Sequence, residues 1–475
     1  MTPLLVALHR GSLTRAFFLG LVTGAVYFTG TIYWTTEVMA VFGQLKFFVA
    51  VLINAALVAY MSLFTALFAV VMRRLVVRLG SAALPAAPLV WVSTELGRTY
   101  LFTGFPWVLL GYSQMKVLPV AQLASIFGVY GVSALVATVS AAAAVIVVRS
   151  DRRRFIPLAV ALLLVMAVAG WGSLRLNASA LTRTGEPLRV GILQGNVNQA
   201  EKWDRKRADD IFADYVKKTE EAIAAKAQVV VWPESSTPFS FEDDIQATAQ
   251  LRELVRRSGV PLLLGSDQIE HGPSNKYYNA AFLTRPDGST AGVYRKMHLV
   301  PFGEYVPMKE VFFFAAPLVE AVSDFSPGET GVLLPLKGHP VSTAICYEVV
   351  YPALVRAFVQ SGSELLFTIT NDAWFGRTSA PYQHFEQAAM RAIENGRYLV
   401  RAANTGISGV VDPYGRVLAE SGIFEPAVMV EEVRFVSART IYTRIGDAFP
   451  YASVLVTLAL LVLARAPRHK IRTEA

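Results

Sequence analysis

Apolar residues crowd into two parts of this chain, residues 14–175 and 450–464, whereas residues 185–445 mix apolar and polar positions as soluble domains do. Six stretches in the crowded parts suit helices that cross a bilayer, which takes about 20 residues each. They are 15–34, 47–72, 82–98, 120–148, 155–174 and 450–465. The third is the weakest, because Ser93, Thr94 and Glu95 interrupt it. The first is too long for the apolar core of a signal peptide and has no convincing cleavage site, so it is read as part of the mature chain.

Positive charge orients these helices, since Lys and Arg stay on the cytoplasmic side. Arg73, Arg74 and Arg78 follow the second helix; Arg149, Arg152, Arg153 and Arg154 follow the fourth; Arg465, Arg468, Lys470 and Arg472 follow the sixth. With the N-terminus inside, all three clusters fall on the cytoplasmic side, and the segment 175–449 falls outside. Dropping any one helix breaks that agreement. Glu95 and Arg98, three apart near the outer end of the third helix, are spaced for a structural ion pair on one face. The loop 97–114, rich in aromatic residues with Gly and Pro, is expected at the outer membrane–water boundary, as an anchor or as a wall against lipid.

Between the apolar parts the period changes. Short β-branched runs predict strands at 188–196, 228–234, 261–268, 278–285, 292–296, 341–347, 365–372 and 406–413. Helical periods appear at 207–226, 247–258, 351–361 and 381–397. This alternation predicts either an α/β or a layered α-β-β-α domain, and propensity does not choose between them. The expected division is a helical membrane domain over 1–175, a soluble domain over 185–445 and a last membrane helix over 450–465.

Composition agrees with that division. The 475 residues suffice for two substantial domains, and at 53% apolar and 17% charged the chain is poor in charge for a soluble protein. The net charge of +8 does not indicate nucleic-acid binding, because the arginines sit beside apolar segments rather than in one stripe.

Cys346 is the one cysteine in the chain and sits in TAICYEVVYP (343–352), a strand, a turn and then a helix. A thiol exposed to oxidation outside the cytoplasm, with no partner for a disulfide, is a candidate nucleophile; the plain alternative is a small buried hydrophobe. A nucleophilic thiol needs a base and a source of positive charge for the oxyanion. Two further strand ends supply them: Glu234 in VVVWPESS (229–236) and Lys296 in GVYRKMHLVPFGEYVP (292–307). Polar groups at strand ends facing one mouth are how layered domains build sites.

With TNDAWFG (370–376), these motifs resemble the nitrilase superfamily of carbon–nitrogen hydrolases. QHFEQAAMRAIENGR (383–397), NTGISGV (404–410) and the membrane motif TGFPWVLLGYSQ (103–114) narrow the resemblance to the apolipoprotein N-acyltransferase family, almost end to end. The resemblance implies a polytopic helical membrane domain joined to a nitrilase-like α-β-β-α sandwich. It also implies eight membrane helices where six are counted, with MTPLLVAL at the start resembling the tail of one of the missing pair.

The resemblance further implies Glu234 as general base, Lys296 as stabiliser of the oxyanion and Cys346 as nucleophile. Cys346 would take an acyl chain from a phospholipid and pass it to the α-amine of a diacylglyceryl-cysteine at the N-terminus of a lipoprotein. The setting would be the outer, periplasmic face of the bacterial inner membrane, with no cofactor, no metal and a monomeric enzyme. Lys296 is expected to raise the thiolate fraction of Cys346, and the Tyr347 backbone N–H is expected to be a second oxyanion donor. Glu304 corresponds to a glutamate needed near the triad, and Trp203 to a tryptophan in substrate contact. Glu348 would orient Lys296 or Glu234 or form a structural ion pair, while Tyr347 and Trp374 would shape the acyl pocket. Asn279 and Asn371 are expected to satisfy backbone groups. His298 and His384 lack the spacing of a metal site. A membrane-tethered amidase using the same three residues on a soluble amide is the competing reading, and a receptor retaining only the fold is a second.

Overall fold

The computed structural model describes residues 1–465 except Gln44, Ala200, Trp203, Asp204 and 307–324. Trp203, Arg468, Lys470 and Arg472 therefore lie outside the described residues. Among those described, four continuous helical stretches are long and apolar enough to cross a membrane: Leu13–Ile32, Phe47–Thr103, Ala124–Val148 and Arg152–Thr182. A shorter apolar helix spans Ala448–Leu463. The second stretch has 57 residues, far more than one crossing requires. It folds back at the 3-10 segment Gly80–Ala86, so helices Phe47–Leu79 and Ala87–Tyr100 run antiparallel. The Tyr60 hydroxyl donates to the Leu101 carbonyl at 2.9 Å, and the Phe68 and Trp91 rings meet edge to face. The third expected helix therefore starts later than its apolar run, at the residue before Pro88, whose fixed φ and missing N–H suit the first turn.

Helices without water between them associate through close packing of small residues. Gly20 and Gly24 do this against Phe47–Leu79: a Cβ on Gly20 would stand 2.6 Å from the Ala66 Cα, and one on Gly24 2.8 Å from the Ser62 Cα. Phe18, Val22, Val26, Leu63, Leu67 and Leu163 remain exposed on the outside of the bundle. Its two ends differ. Leu4, Leu75, Leu84, Val145 and Ala464 pack together at the end that carries Arg73, Arg149 and Arg465. Phe28, Ile32, Trp34, Met61 and Leu96 join the core of the two-sheet domain at the other.

Among the described residues, that domain holds two six-stranded sheets. The first has the order β12-β1-β2-β3-β4-β5: β1 (Pro187–Gln194), β2 (Val229–Val231), β3 (Leu262–Glu270), β4 (Lys276–Thr284), β5 (Thr290–Arg295) and β12 (Ala427–Arg434). The second has the order β11-β10-β9-β8-β7-β6: β6 (Leu334–Leu336), β7 (His339–Ile345), β8 (Leu366–Thr370), β9 (Leu399–Ala403), β10 (Gly409–Val411) and β11 (Val417–Glu420). The period of two places the layers. Val229, Val231, Leu263, Ala281 and Leu283 face the second sheet, while Val230, Trp232, Leu262, Leu264 and Phe282 face helices Arg205–Ala224 and Ile245–Ser258. Helices Pro352–Gln360 and Ala380–Asn395 cover the other sheet. The domain is thus α-β-β-α.

Ala380–Asn395 also forms the seam with the bundle, and both of its faces are buried. Its polar side chains hold the membrane half. Gln383 accepts the indole N–H of Trp34 at 3.2 Å and of Trp107 at 2.7 Å, and Arg391 donates to the Tyr112 hydroxyl at 2.9 Å. Gly128, at φ +66°, breaks the helix Ala124–Val148, and the Glu394 carboxylate accepts the freed Val129 N–H at 2.8 Å. Glu95 and Arg98 are buried and 4.0 Å apart; they hold the 105–110 loop by bonds to the Leu110 N–H and the Trp107 carbonyl. Trp107 itself is buried rather than resting at a water boundary, because the sandwich covers it.

Candidate active site

β2 and β5 run parallel, since β3 parallels β2 and two antiparallel steps lead on to β5. Their C-terminal ends therefore share one edge, and each releases a polar side chain there: Glu234 three residues past β2, and Lys296 directly after β5. Both face the second sheet, where Cys346 leaves the end of β7. All three side chains are buried.

Lys296 Nζ lies 2.8 Å from Glu304 Oε1 and 3.3 Å from Glu234 Oε1. Asn279 Nδ2 donates to the same two oxygens, at 2.7 Å to Glu234 and 2.9 Å to Glu304. Asn279 thus holds two carboxylates on one cation instead of satisfying the backbone with its amide nitrogen. The other Glu234 oxygen accepts the Asn371 N–H at 2.8 Å, and the other Glu304 oxygen accepts the Val300 N–H at 2.8 Å. Asn371 does serve the backbone as well, accepting from the Ala373 N–H.

The charges of these groups follow from their neighbours. Burial opposes ionisation of Glu234, but Lys296, Asn279, Lys202 and the Asn371 N–H outweigh it and hold its pKa below the usual glutamate value. Burial likewise opposes the Lys296 ammonium, and Glu304 and then Glu234 outweigh it, raising its pKa. The Cys346 thiol moves the other way from the sequence-based expectation. Burial and then the Glu234 charge push its pKa up, and Lys296 offsets only part of this. The resting site is therefore a neutral thiol beside an ionised carboxylate and an ammonium.

Cys346 itself has φ +50°, in the left-handed region that a non-glycine residue occupies at a cost of roughly 1–2 kcal/mol. Glu348 supports this turn and, among the described residues, neither bonds to Glu234 nor forms an ion pair. Its Oε2 accepts the Ile345 N–H at 2.8 Å, and its Oε1 accepts from the Tyr294 hydroxyl and from the Met297 and His298 N–H groups at 2.7–3.1 Å. It thereby ties the turn at Cys346 to the backbone just after Lys296. Tyr347 stacks with Phe105 and Trp107 of the membrane half, with centroids 6.3 and 6.5 Å away. The Tyr351 hydroxyl donates to the Gly104 carbonyl at 3.1 Å. Trp374 is half-buried and meets Phe42 edge to face at 5.1 Å. His298 packs on Tyr351, and burial and the Lys296 charge lower its pKa to about 4.

Several polar groups here were not singled out in sequence as site residues. Lys202 is buried near Glu234 and Asp267; burial lowers its pKa to about 8 and raises that of Asp267 to about 6. Behind the cysteine, Asp372, His384 and Arg401 form a fully buried cluster. Asp372 and His384 stood inside quoted motifs, whereas Arg401, in the middle of β9, carried no signal.

Gly265 keeps Glu234 in place from β3. A Cβ there would stand 2.4 Å from the Pro233 carbonyl oxygen and 2.7 Å from the Glu234 Cα. Gly265→Ala is expected to cost about 1–3 kcal/mol by overpacking. It is also expected to lower activity by about 10²-fold by displacing the carboxylate. Thermal unfolding and initial rates measured together check this; unchanged rates would refute the placement.

A two-sheet domain with a cysteine turn facing a carboxylate and a lysine is of the carbon–nitrogen hydrolase class, and the Carbon-nitrogen hydrolase family matches residues 189–442. The Apolipoprotein N-acyltransferase N-terminal domain matches residues 1–142. An apolipoprotein N-acyltransferase of Geobacter metallireducens is 40% identical over 469 residues, covering 97% of this chain and 89% of that protein. One of Bradyrhizobium diazoefficiens is 35% identical over 432 residues, covering 86% and 79%. The chain belongs to the apolipoprotein N-acyltransferase family, and it is a membrane protein and an acyltransferase. A solved mutant amidase of the nitrilase superfamily from Nesterenkonia AN1 superposes with a TM-score of 0.43 at 23% identity, over 57% of this chain and 98% of that one.

Proposed function

We propose that this enzyme moves an acyl chain from a phospholipid, through a thioester on Cys346, to the α-amine of a diacylglyceryl-cysteine at the N-terminus of a lipoprotein. Residues 185–445 form the catalytic domain, on the periplasmic side of the inner membrane. The domain at the end of the bundle opposite the arginine loops supports that side.

The observation that carries the reading is where the nucleophile's turn lies. Tyr347 and Tyr351, one and five residues after Cys346, pack on Phe105, Trp107 and Gly104 of the membrane half. A thiol at the seam with an apolar bundle can receive an acyl chain that never enters water, where each methylene costs about 0.8 kcal/mol to expose.

Glu234 takes the thiol proton as sulfur attacks the ester carbonyl. The carbonyl electron pair moves to oxygen, and the oxyanion is held by Lys296 and the Tyr347 N–H. Collapse breaks the acyl C–O bond, and Glu234 returns the proton to the departing lysophospholipid alkoxide. The lipoprotein amine then attacks the thioester and gives a proton to Glu234, and the thiolate leaves and regains that proton. Glu304 holds Lys296 between the two carboxylates throughout.

Mass spectrometry of the enzyme incubated with phospholipid alone tests this. The expected result is a mass gain of one acyl chain on Cys346, discharged by a diacylated lipopeptide. Discharge only by water, with the lipopeptide ignored, would instead establish a hydrolase.

A further inference from the structure

We propose that His384 is a positioning residue that fixes the Cys346–Tyr347 peptide plane, aiming the Tyr347 N–H into the oxyanion site. The inference rests on the acyl-thioester reading and concerns a group that the steps above leave unused.

His384 Nε2 lies 3.2 Å from the Cys346 carbonyl oxygen. A carbonyl only accepts, so Nε2 carries the hydrogen. The other side of the ring agrees. Nδ1 is 3.0 Å from Arg401 Nη2, which only donates, so Nδ1 offers its lone pair. Asp372 Oδ1 is also 3.0 Å from Nδ1 and accepts from the Thr370 hydroxyl at 2.8 Å, while its Oδ2 accepts from Arg401 at 2.7 Å; a hydrogen on Nδ1 as well would leave Nε2 donating to the Cys346 carbonyl all the same. Burial and then the Arg401 charge lower the histidine's pKa and outweigh the Asp372 carboxylate and the Cys346 carbonyl, which raise it, in keeping with a neutral ring. The rings of Trp107 and Phe375, at 5.4 and 5.8 Å, close over the imidazole.

The consequence comes from peptide geometry. The Cys346 carbonyl and the Tyr347 N–H belong to one planar unit, and this peptide is trans. In a trans peptide the two groups point in opposite directions. His384 belongs to the helix layer beyond the second sheet, whereas Lys296 and Glu234 come from the first sheet. A carbonyl turned toward the helix therefore turns the N–H toward Lys296. The left-handed φ of Cys346 makes this plane the strained element of the turn, and strain persists only where neighbours over-determine it. Glu348 grips the Ile345 N–H on one side of the cysteine, and His384 grips the carbonyl on the other. Without the second grip the plane is free to flip and point its carbonyl at the oxyanion.

The test compares His384→Asn with His384→Gln. A glutamine amide nitrogen reaches the place of Nε2, and an asparagine amide ends at that of Nδ1. Two reactions of Cys346 are followed in the full-length enzyme in detergent: acylation by phospholipid, which passes through an oxyanion, and alkylation by iodoacetamide, which does not. His384→Asn is expected to slow acylation at saturating lipid by about 10²–10³-fold, the usual effect of losing one oxyanion donor, with KM and the alkylation rate each within about threefold. His384→Gln is expected to recover at least about tenfold of that loss. Parallel loss of both reactions would overturn the proposal, because it means that the thiol itself has moved. Unchanged acylation would overturn it as well. If His384→Asn does not fold, His384→Phe must show the same split between the two reactions. Absence of any acyl-enzyme in the wild type would instead refute the thioester reading.

Discussion

Glu234→Gln is expected to slow acylation of Cys346 by about 10²–10⁴-fold, the range for losing a general base. No orientation of the glutamine amide restores the native bonds. One Glu234 oxygen accepts from Asn279 and Lys296, and the other accepts from the Asn371 N–H. An amide NH₂ on either side opposes a donor with a donor. A second effect should run the other way. The Glu234 charge helps hold the thiol's pKa up, so removing it lets the thiol ionise at lower pH. The pH midpoint of iodoacetamide alkylation should therefore fall in the variant while acyl transfer collapses. A midpoint that rises, or transfer that persists within about tenfold, would rule out Glu234 as the base.

Lys296→Met is expected to remove transfer and to destabilise the fold by about 3–5 kcal/mol, the cost of breaking a buried ion pair from one side. Glu234 and Glu304 both rest on this one ammonium, and all three are buried. In the wild type Glu234 has a depressed pKa, so its contribution is present above its ordinary pKa and is lost as pH falls through the folded value. Lys296 has a raised pKa, so its contribution is present below its ordinary pKa and is lost as pH rises through the folded value. Without the cation, two buried carboxylates face each other through Asn279, and protonating one relieves the repulsion. The variant should therefore gain more thermal stability than the wild type as pH is lowered from neutral. Thermal unfolding in detergent across that range decides it: a variant that loses stability on acidification would show that the carboxylates do not depend on Lys296.

Side-chain pattern already told much of the architecture. All six expected spans fall on helices, and their ends agree to within a few residues apart from the later start forced by Pro88 and one longer C-terminal end. Their apolar runs need no partner to be recognised, since lipid itself is the solvent. Strands such as β2 and β8 were legible because β-branched residues bounded by turns admit little else. β6, β9, β11 and β12 were not. β12, AVMVEEVR, carries adjacent glutamates that read equally as helix, and it becomes a strand because β1 offers a full ladder from Pro187 to Gln194. β9 begins four residues after the Ala380–Asn395 helix and hides Arg401, whose charge is tolerated inside because Asp372 lies 2.7 Å away.

The chain's one thiol, the strand-end carboxylate and lysine, and the division into lipid-facing and water-facing parts follow from residue type and spacing alone, because each depends on local chemistry. How those groups are charged does not. Whether Cys346 rests as thiol or thiolate, whether Asn279 serves backbone or carboxylate, and which way the peptide after the cysteine points depend on groups brought together from β2, β4, β5, β7 and the Ala380–Asn395 helix. Burial and neighbouring charge act through space, at distances that only folding creates.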